Sequence, residues 1–316
     1  MRLNCIENID CLEGMKAIPD GSIDLVLTDP PYGTMDTDGG RRLRIDGWDK
    51  RVPAADLLQH FARILRPNGK AVVFSQSDYT AELMTQAPPV LPFSYRAVWL
   101  KDQFANCLGV NKAMVSLYED ICVFSKLAPK HDFAGDHPLR EYFLQERAKC
   151  GGINFRELLG NGMAGHYFTN GAQFALPTRA NYEKLQTTGH FNRDYDEIKE
   201  IHDRFQKEMI ERMNAENPAV FNLWQGKKYK SNVLEYKKDN DGLHPTQKPL
   251  ALIEDLVNTY SNPGDKVLDP FMGSGTTAVA CLKTGRKYIG FELDERYYAT
   301  SVQRIADADA REEGYL

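Results

Sequence analysis

Residues 266–292 read KVLDPFMGSGTTAVACLKTGRKYIGFE. Lys266 to Leu268 begins a strand, Thr276 to Lys283 has the apolar make-up of a packed helix, and Lys287 to Phe291 forms a second strand. The connecting loop runs from Asp269 to Thr277 (DPFMGSGTT). Gly273 and Gly275 let its backbone approach a ligand closely, and Thr276 is placed to cap the helix. Glu292 ends the second strand, about where an acidic residue reaches ribose hydroxyls in nucleotide-type folds. A nucleoside-bearing cofactor fits such a loop, and so does a plain tight turn. The third glycine of the dinucleotide fingerprint is missing, which counts against NAD.

Working outward, Asn262-Pro263-Gly264 forms a turn, and His244-Pro245 precedes a helix from about Pro249 to Tyr260. The first ~125 residues alternate strand and helix patterns, which defines an α/β unit. Ile23 to Thr28 (IDLVLT) is a short apolar run. Ala54 to Leu65 sets Leu57, Leu58, Phe61, Ile64 and Leu65 on one helical face, and Pro67-Asn68-Gly69 stops that helix. Ala71 to Phe74 is the next strand. Arg96 to Leu100 and Asp120 to Ser125 are two more, expected to pair at the sheet edge. The middle, 127–217, is helical and polar, with helix candidates at Leu139–Lys149 and Phe155–Phe168 around Cys150-Gly151-Gly152. Those two helices loosely suggest a helix-turn-helix, and equally a plain helical cap. The expected organisation is one α/β domain over 1–126 and 218–316, interrupted by a helical insertion over 127–217.

Asp29-Pro30-Pro31-Tyr32 follows the strand at Ile23–Thr28 directly. The prolines remove two backbone donors and fix φ twice. Acceptors and an aromatic ring remain, which suits an amino group on a flat heterocycle: the amine donates two hydrogen bonds and the ring stacks on Tyr32. A rigid turn with Tyr32 packed on the core is the alternative reading.

The chain of 316 residues is 42% hydrophobic and 26% charged, ordinary for a globular protein. No apolar run approaches the ~20 residues of a membrane span, and the opening MRLNCIENIDCLEG has no apolar block, so neither a membrane segment nor a signal peptide is expected. Six cysteines without a C-x-x-C pair or zinc spacing suit packed thiols in a cytoplasmic protein, and no metal is expected. A net charge of -5 is not that of a typical nucleic-acid binder, but phosphate contact needs only a local basic face. Arg41, Arg42 and Arg44 form one basic cluster, and Lys227, Lys228 and Lys230 another. They are the candidate DNA contacts, with solvated loops as the alternative.

DPPY, the later DPFMGSGTT, and HPTQKP (His244 to Pro249) between them resemble the amino-group DNA methyltransferases, in the β-class order of motifs. The resemblance covers everything except the central insertion. It implies a Rossmann-like S-adenosylmethionine-dependent methyltransferase fold, with a mixed, mostly parallel sheet, circularly permuted. Carried over residue by residue, it places Asp29, Pro30, Pro31 and Tyr32 around the target amine, with Asp29 also bordering the cofactor. Asp269, Pro270, Phe271, Gly273, Ser274, Gly275 and Thr276 become the loop at the cofactor's methionine end, and Glu292 with Leu293 reaches its ribose. Thr246 and Lys248 face its amino-acid portion, and Asp10 with Cys11 lies toward its adenine. Met272 stands where a small residue is common. S-adenosylmethionine and DNA are the implied cofactor and substrate; a homodimer and a separate restriction endonuclease are compatible with the resemblance. The insertion becomes the candidate for target recognition.

A tetrad opening with Asp leans toward the N6 amine of adenine, and the N4 amine of cytosine stays open. RNA or protein methylation and a non-catalytic DNA-binding regulator on the same fold are further alternatives. Cytosine carbon-5 chemistry requires a cysteine nucleophile, usually in a Pro-Cys pair, and the sequence contains no Pro-Cys dipeptide.

Overall fold

The computed structural model describes residues 2–33, 50–105, 111, 114–128, 137–160, 162–169, 174–223, 228–239 and 247–312. Two compact units emerge, one comprising 1–128 with 219–316 and the other 129–218.

The first unit is a sheet covered on both faces. Its strands are β1 (Cys5–Glu7), β2 (Ile23–Thr28), β3 (Leu65–Ser75), β4 (Phe93–Ala105), β5 (Ser116–Ser125), β6 (Val233–Glu235), β7 (Lys266–Asp269) and β8 (Lys287–Phe291). They lie in the order β1-β8-β7-β2-β3-β5-β4-β6. Neighbours from β1 to β3 pair parallel, as do β4 and β6, while β5 runs antiparallel to β3 and β4. The sheet is thus mixed and mostly parallel, as the motifs imply. The β4–β5 pair is not the edge, because β6 adds a further strand outside it. β6 is too short, with only Leu234 buried, to stand out as a strand in sequence.

Helices α1 (Cys11–Lys16), α2 (Ala54–Ile64) and α3 (Asp78–Thr85) share one apolar cluster. Helices α9 (Leu250–Tyr260) and α10 (Thr276–Lys283) share another on the opposite side, joined by Ile305 of α11 (Glu295–Glu312). α2 forms where expected because Leu57, Leu58, Phe61 and Ile64 fall on one face, and all four are fully buried. β3 then begins at Leu65, several residues before the expected Ala71, since the turn residues Pro67 to Gly69 are taken up within the strand. Asn68 there has φ +62°, the left-handed conformation that asparagine tolerates.

This arrangement fixes where a ligand can sit. The chain leaves β7 through α10 to reach β8 on one side, and leaves β2 through α2 to reach β3 on the other, across the opposite face. The crossovers diverge between β7 and β2, so a crevice opens beyond the carboxyl ends of these two strands.

The second unit contains α4 (Arg140–Lys149), α5 (Phe155–Leu159), α6 (Ala164–Tyr167), α7 (Arg179–Gln186) and α8 (Tyr195–Glu216). It has its own core, built on Phe143, Tyr182, Leu185, Phe191 and Ile198, all fully buried. The expected helix over Phe155–Phe168 is broken: α5 ends at Gly160, which adopts φ +67°. A five-residue α5 is too short for the second helix of a helix-turn-helix, so that resemblance does not hold.

Candidate active site

β2 delivers the tetrad. Thr28 is its last residue, and the paired prolines after it bar further ladder hydrogen bonds, so the chain turns out at the strand's carboxyl end. Asp29, Pro31 and Tyr32 are half-buried and Pro30 is buried. The Tyr32 hydroxyl donates to Asp29 Oδ1 at 2.5 Å, and its ring lies 6.0 Å from that of Tyr79. Tyr32 packs partly on the core but stays only half-buried, and its hydroxyl holds the carboxylate. Burial, reinforced by the Asp29 and Glu119 carboxylates, keeps the Tyr32 phenol well above the ordinary tyrosine value, so it stays a donor.

β7 delivers the loop beside it. Val26 of β2 pairs with Leu268 of β7, so the two carboxyl ends are adjacent. Asp269 ties them together: it accepts from Thr28 Oγ1 at 2.7 Å, from Thr277 Oγ1 at 2.6 Å and from the Phe271 amide at 3.1 Å. Burial pushes its carboxyl up to about 6 against those three donors. With its oxygens so engaged, Asp269 acts as the pin of the loop. Gly275, at φ +85°, is the residue that caps α10, and Thr276 does not, because a left-handed residue turns the loop into the helix. Thr276 Oγ1 instead accepts from Arg304 Nη1 at 2.9 Å, and the same guanidinium nitrogen donates to the Ser274 carbonyl at 3.3 Å. Arg304, on α11, escaped the sequence reading because a single arginine on a charged helix gives no signal. Met272 lies over Gly290 of β8, whose missing side chain makes the room for it.

β8 brings Glu292 to the same edge. Its Oε2 accepts from the Gly273 amide and its Oε1 from the Asp294 amide, both at 2.8 Å. Burial raises its carboxyl above the usual glutamate value, with those amides opposing the rise. Asn8, just beyond β1, donates to the Glu292 carbonyl at 2.8 Å, and Leu293 is exposed. Asp10 caps α1 through the Leu12 and Glu13 amides at 2.9 and 3.2 Å, while Cys11 is buried with its thiol pushed up to about 12 by burial. Asp29, Asp269 and Glu292 thus line the ends of three consecutive strands, spanning roughly 10 Å at the ordinary strand spacing.

Lys248 lies just ahead of α9. Its ammonium binds Asp29 Oδ2 and lies 3.2 Å from Glu119 Oε2. Lys230, a candidate DNA contact, is committed to the buried Asp255 and offers no open basic surface, whereas Lys228 is exposed. Arg41, Arg42, Arg44, Lys227 and Thr246 lie outside the described residues. Among the described residues, no cluster of His, Cys, Asp and Glu could hold a metal ion, and no helix is long and apolar enough to cross a membrane.

A mixed, mostly parallel sheet with an acidic, proline-rich, aromatic turn beside a glycine loop defines an amino-group methyltransferase. The chain belongs to the N6/N4 DNA methylase family, whose model, described as a DNA methylase, matches residues 23–303. It is similar to the DNA adenine methyltransferase YhdJ of Escherichia coli K12, at 27% identity over 299 residues, covering 94% of this chain and 80% of the relative. The type II methyltransferase M.HinfI of Haemophilus influenzae is 26% identical over 312 residues, covering 96% and 69%. The fold is shared with the crystal structure of the M1.HpyAVI–SAM complex, with TM-score 0.53 at 20% identity over 95% of this chain and 98% of that one. It is shared too with the cytosine-N4-specific PvuII DNA methyltransferase, with TM-score 0.51 at 17% identity over 97% and 91%.

Proposed function

We propose that this chain transfers a methyl group from S-adenosylmethionine to the N6 amine of adenine in DNA. The observation that carries the reading is the Thr28–Asp269 hydrogen bond at 2.7 Å, which locks the tetrad strand to the glycine-loop strand at a single crevice. Adenine is supported by the aspartate that opens the tetrad and by the Escherichia coli relative, whose name specifies adenine.

The residues present fit the cofactor. A carboxylate has about four acceptor positions. Glu292 uses acceptor positions on the Gly273 and Asp294 amides, with the Leu293 amide also favouring its charged form, and its remaining capacity is available to a vicinal diol. Half-buried Gly273 and Phe271 leave the loop's backbone open to a ligand. When bound, S-adenosylmethionine supplies a methyl group already activated by its positive sulfur.

The protein's task is then to hold the acceptor amine in line with that methyl. Tyr32 and Lys248 take one position on each Asp29 oxygen, and the remaining lone pairs accept an amine N–H. The Pro30 carbonyl accepts the second. Bonds to both N–H groups favour the pyramidal amine, whose lone pair is then free of the ring. The freed lone pair would take the methyl that the cofactor supplies, leaving the cofactor as a neutral thioether, and the amine would then release its proton to water. The base reaches this crevice by leaving the stack, at a cost of a few kcal/mol. The unit at 129–218 is the proposed reader of target sequence.

Mass spectrometry of nucleosides from DNA incubated with enzyme and cofactor tests the reading. N6-methyladenine is the expected product. N4-methylcytosine would move the assignment to the other base, and unmodified DNA would refute it.

A further inference from the structure

Four charged side chains from four elements meet behind the tetrad. Lys101 lies on β4, Glu119 on β5, Lys248 ahead of α9, and Asp29 after β2. Glu119 Oε1 binds Lys101, Glu119 Oε2 lies 3.2 Å from Lys248, and Lys248 binds Asp29. The side chains of Lys101, Lys248 and Glu119 are only 2%, 6% and 12% exposed. The two ammonium groups also sit over aromatic rings, Lys248 at 5.1 Å from the centre of Phe74 and Lys101 at 5.2 Å from that of Trp99. Two cations alternate with two carboxylates, so the array is neutral.

Such an array is a costly way to hold a fold together. Desolvation of buried ions commonly cancels their attraction, and apolar side chains of the same volume serve stability as well or better. The array's most exposed member, at 24%, is Asp29, the proposed acceptor of the amine. We propose that Lys248, held by Glu119 and through it by Lys101, is the positioning residue of the tetrad: its ammonium anchors Asp29 and so fixes which lone pairs face the target amine. This assigns Lys248 to the amine side of the crevice and not to the cofactor's amino-acid portion, and it rests on Asp29 being the amine's acceptor.

The groups facing Asp29 act on it in opposite senses. Burial raises its carboxyl above the ordinary aspartate value; Lys248 opposes that, Glu119 adds to it, and the Tyr32 hydroxyl stabilises the ionised form. Asp269, on the neighbouring strand, is coupled to it by charge as well. Burial alone would lower Lys248, but Asp29 and Glu119 outweigh it and hold the ammonium above the usual lysine value. Glu119, although buried, is held below the usual glutamate range by Lys248 and Lys101.

Neutralising Lys248 and neutralising Glu119 therefore shift Asp29 in opposite directions. The Asp29 carboxyl can be titrated directly by difference infrared spectroscopy of the full chain against Asp29→Asn, without turnover. Lys248→Gln is expected to move its midpoint up by about one pH unit or more, the size ordinarily produced by an opposite charge within hydrogen-bonding distance. Glu119→Gln is expected to move it down, and Lys248→Arg to restore it to within about half a unit. S-adenosylhomocysteine affinity, by calorimetry, is expected to change less than about threefold in Lys248→Gln, since the lysine does not hold the cofactor. If active, Lys248→Gln is expected to carry the acid limb of kcat upward with the midpoint. Shifts of the same sign in Lys248→Gln and Glu119→Gln would overturn the proposal, as would an unmoved midpoint with cofactor affinity down more than about tenfold. Absence of methylation by the wild-type chain, with the opposite shifts intact, would instead count against the amine reading alone.

Discussion

On the proposed reading Asp29 carries the chemistry, while Asp269 pins the geometry, although both are aspartates at strand ends. Asp29→Ala removes the amine's acceptor while leaving the glycine loop intact. Methylation is expected to fall by at least ~100-fold, the order seen when one preorganised transition-state partner is lost. Cofactor affinity, measured by calorimetry, is expected to stay near that of the wild type. Asp269 gives a stability signature. An aspartate titrates near 3.8 when unperturbed and this one is pushed up to about 6, so the folded state binds the extra proton between those values. The stabilisation is present in full below about pH 4 and is lost as pH rises through 6. Asp269→Asn keeps acceptors for Thr28 and Phe271 and carries no charge, so relative to wild type it is expected to gain stability as pH rises from 4 to 7. Urea denaturation across that range reads the difference, with a span on the order of 2–3 kcal/mol; a difference constant with pH would contradict the linkage. The turn after β2 and the loop between β7 and α10 were legible because proline and glycine mark backbone geometry in any sequence. Glu119 and Lys101 were not. An acid and a base on separate strands look like ordinary solvated positions until pairing brings Trp99 opposite Glu119.

At the scale of elements, the glycine loop depends on conformation as much as on contacts. Gly275 sits at φ +85°, and an added Cβ would come within 3.1 Å of the Ser301 Cβ on α11. Gly275→Ala is therefore expected to cost about 1–3 kcal/mol of stability and to weaken cofactor binding, by melting and calorimetry. Conversely, Gly151→Ala, with open space around its Cβ, is expected to fold like wild type. Strands β2 and β8 and helix α10 run over the residues their apolar runs mark out, since each is bounded by turn residues. The region after Phe155 failed for the opposite reason: its apolar spacing continues past Gly160, and only the left-handed φ there ends the helix. β6 was missed because its pairing with β4, not its own three residues, makes it a strand.

At the scale of the whole molecule, the proposed catalytic groups fall in one of two compact units. Every group assigned to the amine or the cofactor and described here belongs to the unit of 1–128 and 219–316, and the unit of 129–218 has a hydrophobic core of its own. Replacing 129–218 by a short linker is expected to preserve S-adenosylhomocysteine binding while abolishing sequence preference on DNA, read by calorimetry and by mapping methylated sites. An unchanged preference would remove the recognition role from that unit. The order of motifs made the α/β domain legible because β2 and β7, some 240 positions apart in the chain, are neighbours in the sheet. Composition could not reveal the path of DNA, since a net charge of -5 says nothing about where the exposed cations gather. The most direct measurement is a crystal structure of the chain with S-adenosylhomocysteine and a duplex containing its target. The expected result is the cofactor's sulfur against the 273–275 turn and an extruded adenine on Tyr32, its amine bound to Asp29 and in line with the sulfur, leaving room for a methyl at the about 3–3.5 Å of reacting atoms. A sulfur and a nucleobase lodged in separate clefts would contradict it.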